Sequence, residues 1–84
     1  MNIYVGNLDF NIEENTLAKV FEPFGLVNSA KIISDKFSGR SKGFGFITMD
    51  DKNEAINAIK ELNGTVLNDR EIIVNEARPV KNRY

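Results

Sequence analysis

The sequence predicts an α+β domain, with one four-stranded antiparallel sheet carrying two helices on the same face. Hydrophobic period is the first sign: it runs strand-like, helix-like, strand-like twice, helix-like, then strand-like again, the order β-α-β-β-α-β. Length is the second, since 84 residues, 42% of them hydrophobic, suffice for one small core and no more. Turn-forming clusters between the periodic segments are the third, with no internal repeat or low-complexity run among them.

In the first strand Ile3 and Val5 share one side while Asn2 and Tyr4 take the other. Gly6, Asn7 and Asp9 then turn the chain. From Glu13 to Phe24 the residues Leu17, Val20, Phe21 and Phe24 recur at i, i+3, i+4 and i+7. Glu13 and Glu14 suit the start of that helix, and Pro23 and Gly25 its end. Phe21, Phe24 and Leu26 are expected in the core. Val27 to Ser34 forms the second strand, with Ala30 and Ile32 inward and Lys31 and Ile33 outward. Asp35 to Ser41, rich in Gly and Ser, is a loop.

Gly43 to Met49 alternates as a third strand, with Gly45, Ile47 and Met49 on one side and Phe44, Phe46 and Thr48 on the other. Asp51 followed by Glu54 reads as a capping box, and Ala55, Ile56, Ile59 and Leu62 make an apolar stripe that Asn63 and Gly64 close. The sequon Asn63-Gly64-Thr65 therefore reads as a helix stop rather than a glycosylation site. Thr65 to Leu67 is a short extended piece and Asn68-Asp69 a turn. Arg70 to Glu76 is the last strand, with Ile72 and Val74 inward. The domain is expected over residues 1–79, followed by a short basic tail at 80–84. This arrangement is the ferredoxin-like, split β-α-β fold.

Composition narrows the function. With no Cys and no His there is no disulfide framework, zinc finger, thiol nucleophile or histidine base. The adjacent carboxylates Glu13-Glu14 and Asp50-Asp51 sit at helix starts, where capping and the helix dipole account for them better than metal binding or acid-base work. Gly43 and Gly45 lack a third glycine and lead into a strand, which speaks against dinucleotide binding, and Gly39-Arg40-Ser41 lacks the Lys of a phosphate loop. No enzyme, metal or cofactor is expected. No basic leader is seen, nor an apolar run near the ~20 residues that cross a bilayer, so the expectation is a soluble, cytoplasmic monomer.

The sheet face away from the helices should be polar, yet the alternation sends Tyr4, Phe44 and Phe46 there. A one-residue slip would merely expose Ile3, Val5, Ile47 and Met49 instead. An open aromatic platform suits unpaired bases, whose faces a double helix hides. Although net charge is −1, Lys31, Lys36, Arg40, Lys42, Arg78, Lys81 and Arg83 fall on the sheet, its loops or the tail, while acids dominate the helices.

At these residues the chain resembles the RNA recognition motif family. Ile3-Tyr4-Val5-Gly6-Asn7-Leu8 is similar to its hexapeptide motif and Lys42-Gly43-Phe44-Gly45-Phe46-Ile47-Thr48-Met49 to its octapeptide. Ile47 stands in for the usual Val, and only Met49 departs, at an inward position that touches packing rather than the platform. The likeness extends to free-standing bacterial proteins with one such domain and to plant glycine-rich RNA-binding proteins.

The resemblance implies that Tyr4 and Phe46 each stack a base, that Phe44 packs against the sugars between them, and that Lys42 meets a phosphate. Lys31, Ile33, Thr48, Ile73 and Asn75 would complete the surface that tells bases apart, with Asn2 an edge contact. Backbone groups of Glu76 and Ala77 would read a base edge. Arg40 belongs to the basic rim, and Arg78 with Lys81, Arg83 and Tyr84 would order on the strand. The implied activity is binding of two to four nucleotides of single-stranded RNA, in post-transcriptional control of mRNA. Single-stranded DNA stays open, because stacking does not sense the 2′-OH. A different use, protein-protein contact, commonly goes with loss of the platform aromatics, and all are kept here. Phe37 is open between covering a core edge and touching nucleic acid.

Overall fold

A computed structural model describes residues 1–35, 37–39 and 41–77, without the side chains of Ser41 and Lys42. Its elements are β1 (Asn2–Gly6), α1 (Glu14–Phe21) running into a 3-10 turn (Glu22–Phe24), β2 (Ser29–Ser34), β3 (Ser41–Thr48), α2 (Lys52–Leu62), β4 (Val66–Leu67), β5 (Arg70–Glu71) and β6 (Ile73–Glu76). The main sheet has the order β2-β3-β1-β6, each neighbour antiparallel. The motif-bearing strands β1 and β3 are thus its centre, and the expected split β-α-β fold is the observed one.

The inward set of each strand meets both helices. Ile3, Val5, Ile47, Met49 and Val74 are fully buried with Leu17 and Phe21 of α1 and Ala55 and Ala58 of α2. Burying each of the larger aliphatic side chains contributes about 1.5 to 3 kcal/mol, which locks the strand phase, since a slip would send the whole set to water. Leu8 and Ile12, in the connection before α1, join that core. There Asp9 holds a tight turn, accepting from Asn11 N–H at 2.8 Å through its side chain and from Ile12 N–H at 3.1 Å through its carbonyl.

The start of α2 is as expected in half: Asp51 is the N-cap and its Oδ1 accepts from Glu54 N–H at 3.0 Å, but the Glu54 carboxylate lies beside Gly25, and among the described residues no return bond to Asp51 N–H closes a capping box. Asn63 ends the helix and does more, because its Oδ1 accepts from Val74 N–H on the outer edge of β6 at 2.9 Å. On the opposite edge Glu14 Oε2 accepts from Ile32 N–H of β2 at 3.0 Å. Both sheet edges therefore carry a side-chain cap where another strand could pair.

Two expectations need correction. Leu26 is 72% exposed rather than in the core. It follows the turn at Gly25, before β2 begins, so no element presses it inward. The last strand is not continuous from Arg70 to Glu76. Ile72 pairs its backbone with the end of α2, donating to Thr65 C=O and accepting from Gly64 N–H, both at 2.9 Å. That diverts Val66–Leu67 and Arg70–Glu71 into a separate hairpin, turned by Asn68 and Asp69, both at positive φ (51° and 66°).

Candidate nucleic-acid interface

Cross-strand register assembles the open face of the sheet in rows. Tyr4 lies opposite Phe46 on one side and Asn75 on the other, and Phe46 in turn lies opposite Lys31. One pair along, Asn2 faces Thr48, and Thr48 faces Ser29. At the other end Ile73 faces Gly6. Partners share a face, so Asn2, Tyr4, Ser29, Lys31, Phe46, Thr48, Ile73 and Asn75 form one surface, with Phe44 on it by alternation from Phe46.

The aromatic rings of Tyr4, Phe44 and Phe46 form a near-equilateral triangle, with centroids 5.9, 6.0 and 6.1 Å apart. Each is half-buried, held by its neighbours at the rim and open on a face. Gly6 makes the room: a Cβ there would run into the ring and hydroxyl of Tyr4, so the ring leans along β1 over the bare glycine. Tyr4 and Phe46 meet at an interplanar angle of 61°, and Phe44 and Phe46 at 89°. Bases lying flat on Tyr4 and Phe46 would be steeply inclined to each other, which suits splayed, unpaired nucleotides rather than a continuous stack.

The remaining candidates differ in what they can offer. Lys31 and Asn75 are exposed beside the triangle, and Ile73 is 47% exposed across from Gly6, an apolar wall next to the Tyr4 ring. Ile33 is half-buried at a register shift between Ile32 and Ser34. Glu76 pairs with Ile3, so its carboxylate belongs to the helix side of the sheet rather than to the open face. Ala77 N–H donates to Asn2 C=O at 2.9 Å, so that amide is engaged within the sheet. Phe37, 98% exposed, covers no core edge. Arg40, Arg78 and the side chain of Lys42 lie outside the described residues, as do Lys36, Lys81, Arg83 and Tyr84.

Sequence reasoning missed Ser29, although counting back from Lys31 by two would have found it. It also missed the brace behind the platform. Arg70 donates to Asn7 through Nη2 to Oδ1 at 2.8 Å and Nε to the carbonyl at 3.3 Å, while Asn7 Nδ2 donates to Glu71 C=O at 2.7 Å. Asn7, at φ 57°, thereby ties the end of β1 to the β4–β5 hairpin. Among the described residues no cluster of His, Cys, Asp or Glu could hold a metal ion, and no helix is long and apolar enough to cross a membrane.

Comparison with known proteins points one way. The family model for the RNA recognition motif matches residues 3–73. The chloroplast RNA-binding protein CP29B of Arabidopsis thaliana is 46% identical over 84 residues, covering 98% of this chain and 29% of its own length. The chain therefore spans under a third of that relative. Among solved structures, RNA binding protein PG1 has a TM-score of 0.90 at 46% identity, covering 95% of this chain and 99% of that one. The Sxl-lethal protein in its RNA complex has a TM-score of 0.90 at 28% identity, over 96% of this chain and 48% of that one. The cytoplasmic expectation is overturned by these relatives: CP29B of Arabidopsis thaliana and two ribonucleoproteins of Nicotiana sylvestris are named as chloroplastic, and glycine-rich RNA-binding protein 4 of Arabidopsis thaliana as mitochondrial. The physical reason for the error is that neither core nor platform encodes a compartment.

Proposed function

Since the chain belongs to the RNA recognition motif family, we propose that its open sheet face binds single-stranded RNA of two to four nucleotides and acts in post-transcriptional control of mRNA. One base stacks on Tyr4 and the next on Phe46, Phe44 packs against the sugars between them, and Lys42 neutralises a phosphate. Lys31, Thr48, Ile73 and Asn75 flank these bases, and Arg40 and Arg78 add positive charge at the margin. The observation that carries this reading is the aromatic triangle on a solvent-facing sheet, whose centroids are 5.9 to 6.1 Å apart. Among the described residues no layer covers this sheet face, so packing gives no need for those rings.

The family is one of RNA binding rather than of enzymes, and we extend this to an absence of catalysis, with the domain over residues 1–79 acting as a monomer and 80–84 as an accessory basic tail. Backbone amide NMR during addition of a randomised RNA octamer tests the proposal. Shifts concentrated on β1 and β3 are expected. Shifts confined to α1 and α2, or no shifts at all, would overturn it, and a parallel DNA octamer settles which sugar is preferred.

A further inference from the structure

The row beyond the aromatic triangle holds an amide with its oxygen end engaged. Asn2 and Thr48 are cross-strand partners, one pair along from Tyr4 and Phe46. The Thr48 hydroxyl donates to Asn2 Oδ1 at 3.0 Å. In the structure the Asn2 oxygen is the end turned toward Thr48 and takes its one hydroxyl hydrogen. Asn2 Nδ2 is left with two donor hydrogens and no protein acceptor among the described residues, on an exposed side chain. Asn75, on the other flank of Tyr4, has no such side-chain bond among the described residues and can turn either end of its amide to a ligand.

An amide held in this way presents donors, and donors sort bases by what stands at the edge they meet. Uracil and guanine carry a carbonyl, O4 and O6, where cytosine and adenine carry an amino group. Resting on the reading of this face as an RNA platform, we propose that Asn2, oriented by Thr48, selects a keto base, uracil or guanine, beside the base stacked on Phe46. Thr48 is a positioning residue in this scheme, because it acts through Asn2. Its backbone neighbour helps: Asn2 C=O is pinned by Ala77 N–H at 2.9 Å, so the amide projects from a fixed main chain.

Fluorescence anisotropy with octauridylate and octacytidylate tests this, since the two pyrimidines have the same size and differ at the 4-position. The wild type should favour octauridylate about tenfold, the worth of one matched hydrogen bond against two opposed donors. Asn2→Asp replaces the donors by acceptors and should bring the ratio to one or reverse it, because the cytosine amino group then finds a partner. Thr48→Val frees the amide to turn and should bring the ratio toward one, with folding checked by circular dichroism. Phe46→Ala should weaken both octamers and leave their ratio alone. Equal wild-type affinity for the two, or a ratio unmoved by Asn2→Asp, overturns the selection by Asn2 while the platform stands. If the folded wild type binds neither octamer even at low salt, the platform reading fails and takes this one with it.

Discussion

Substituting Gly45 by Ala tests how closely β2 must approach β3. A Cβ at Gly45 would overlap the carbonyl oxygen of Lys31 and lie 3.2 Å from Ile32 Cα and 3.3 Å from the Lys31 carbonyl carbon. All three atoms are main chain, so no rotamer change relieves the clash and β2 itself has to move. Overpacking costs about 1 to 3 kcal/mol, and a main-chain obstacle places this case at about 2 to 3. For a domain of this size that lowers the melting temperature by roughly 10 to 20 °C, and the urea midpoint by about 2 to 3 M at a slope near 1 kcal/mol/M. Gly39→Ala is the comparison, because Gly39 has open space within 4 Å and only its φ of 73° to oppose a side chain, at about 1 kcal/mol. Thermal and urea unfolding of both variants decide the matter. A Gly45→Ala protein as stable as Gly39→Ala would refute the close approach of the two strands.

Phe46→Ala should cost about 1 to 3 kcal/mol in RNA binding, and in stability only the loss of its contacts with Tyr4 and Phe44. Phe21→Ala, at a fully buried ring, should instead cost about 3 to 5 kcal/mol of stability, so paired urea melts separate platform from core. Lys42→Ala should weaken every RNA sequence alike and reduce the slope of log affinity against log salt by up to about 0.7; an unchanged slope removes Lys42 from the phosphate contacts. Asn63→Ala leaves Val74 N–H without its side-chain acceptor and should destabilise by about 1 to 2 kcal/mol, with faster amide hydrogen exchange at Val74 as the check.

Much of the site was readable because alternation has a period of two and one face is buried. Once Ile3, Val5, Ile47 and Val74 are inward, Tyr4, Phe44, Phe46 and Asn75 can only be outward, and the structure places them so. What escaped is set by pairing between distant residues. The break at Ile72 depends on main-chain bonds to Gly64 and Thr65, and the brace at Asn7 on a guanidinium 63 positions away. Neither leaves a local pattern. Leu26 misled because an apolar residue beside an apolar helix looks like core, whereas burial depends on whether a folded element carries it. The hydrogen bond that orients Asn2 needs the β1–β3 register in addition to the alternation.

The central claim is that the triangle of Tyr4, Phe44 and Phe46 binds unpaired RNA bases. Its most direct test is anisotropy titration of a labelled randomised RNA octamer with wild type and with a Tyr4→Ala, Phe46→Ala double variant whose fold has been verified. Loss of two stacked bases removes about 2 to 6 kcal/mol, so binding in the micromolar range or tighter by the wild type should fall by at least about thirtyfold. A folded double variant that binds the octamer as tightly as the wild type would contradict the account.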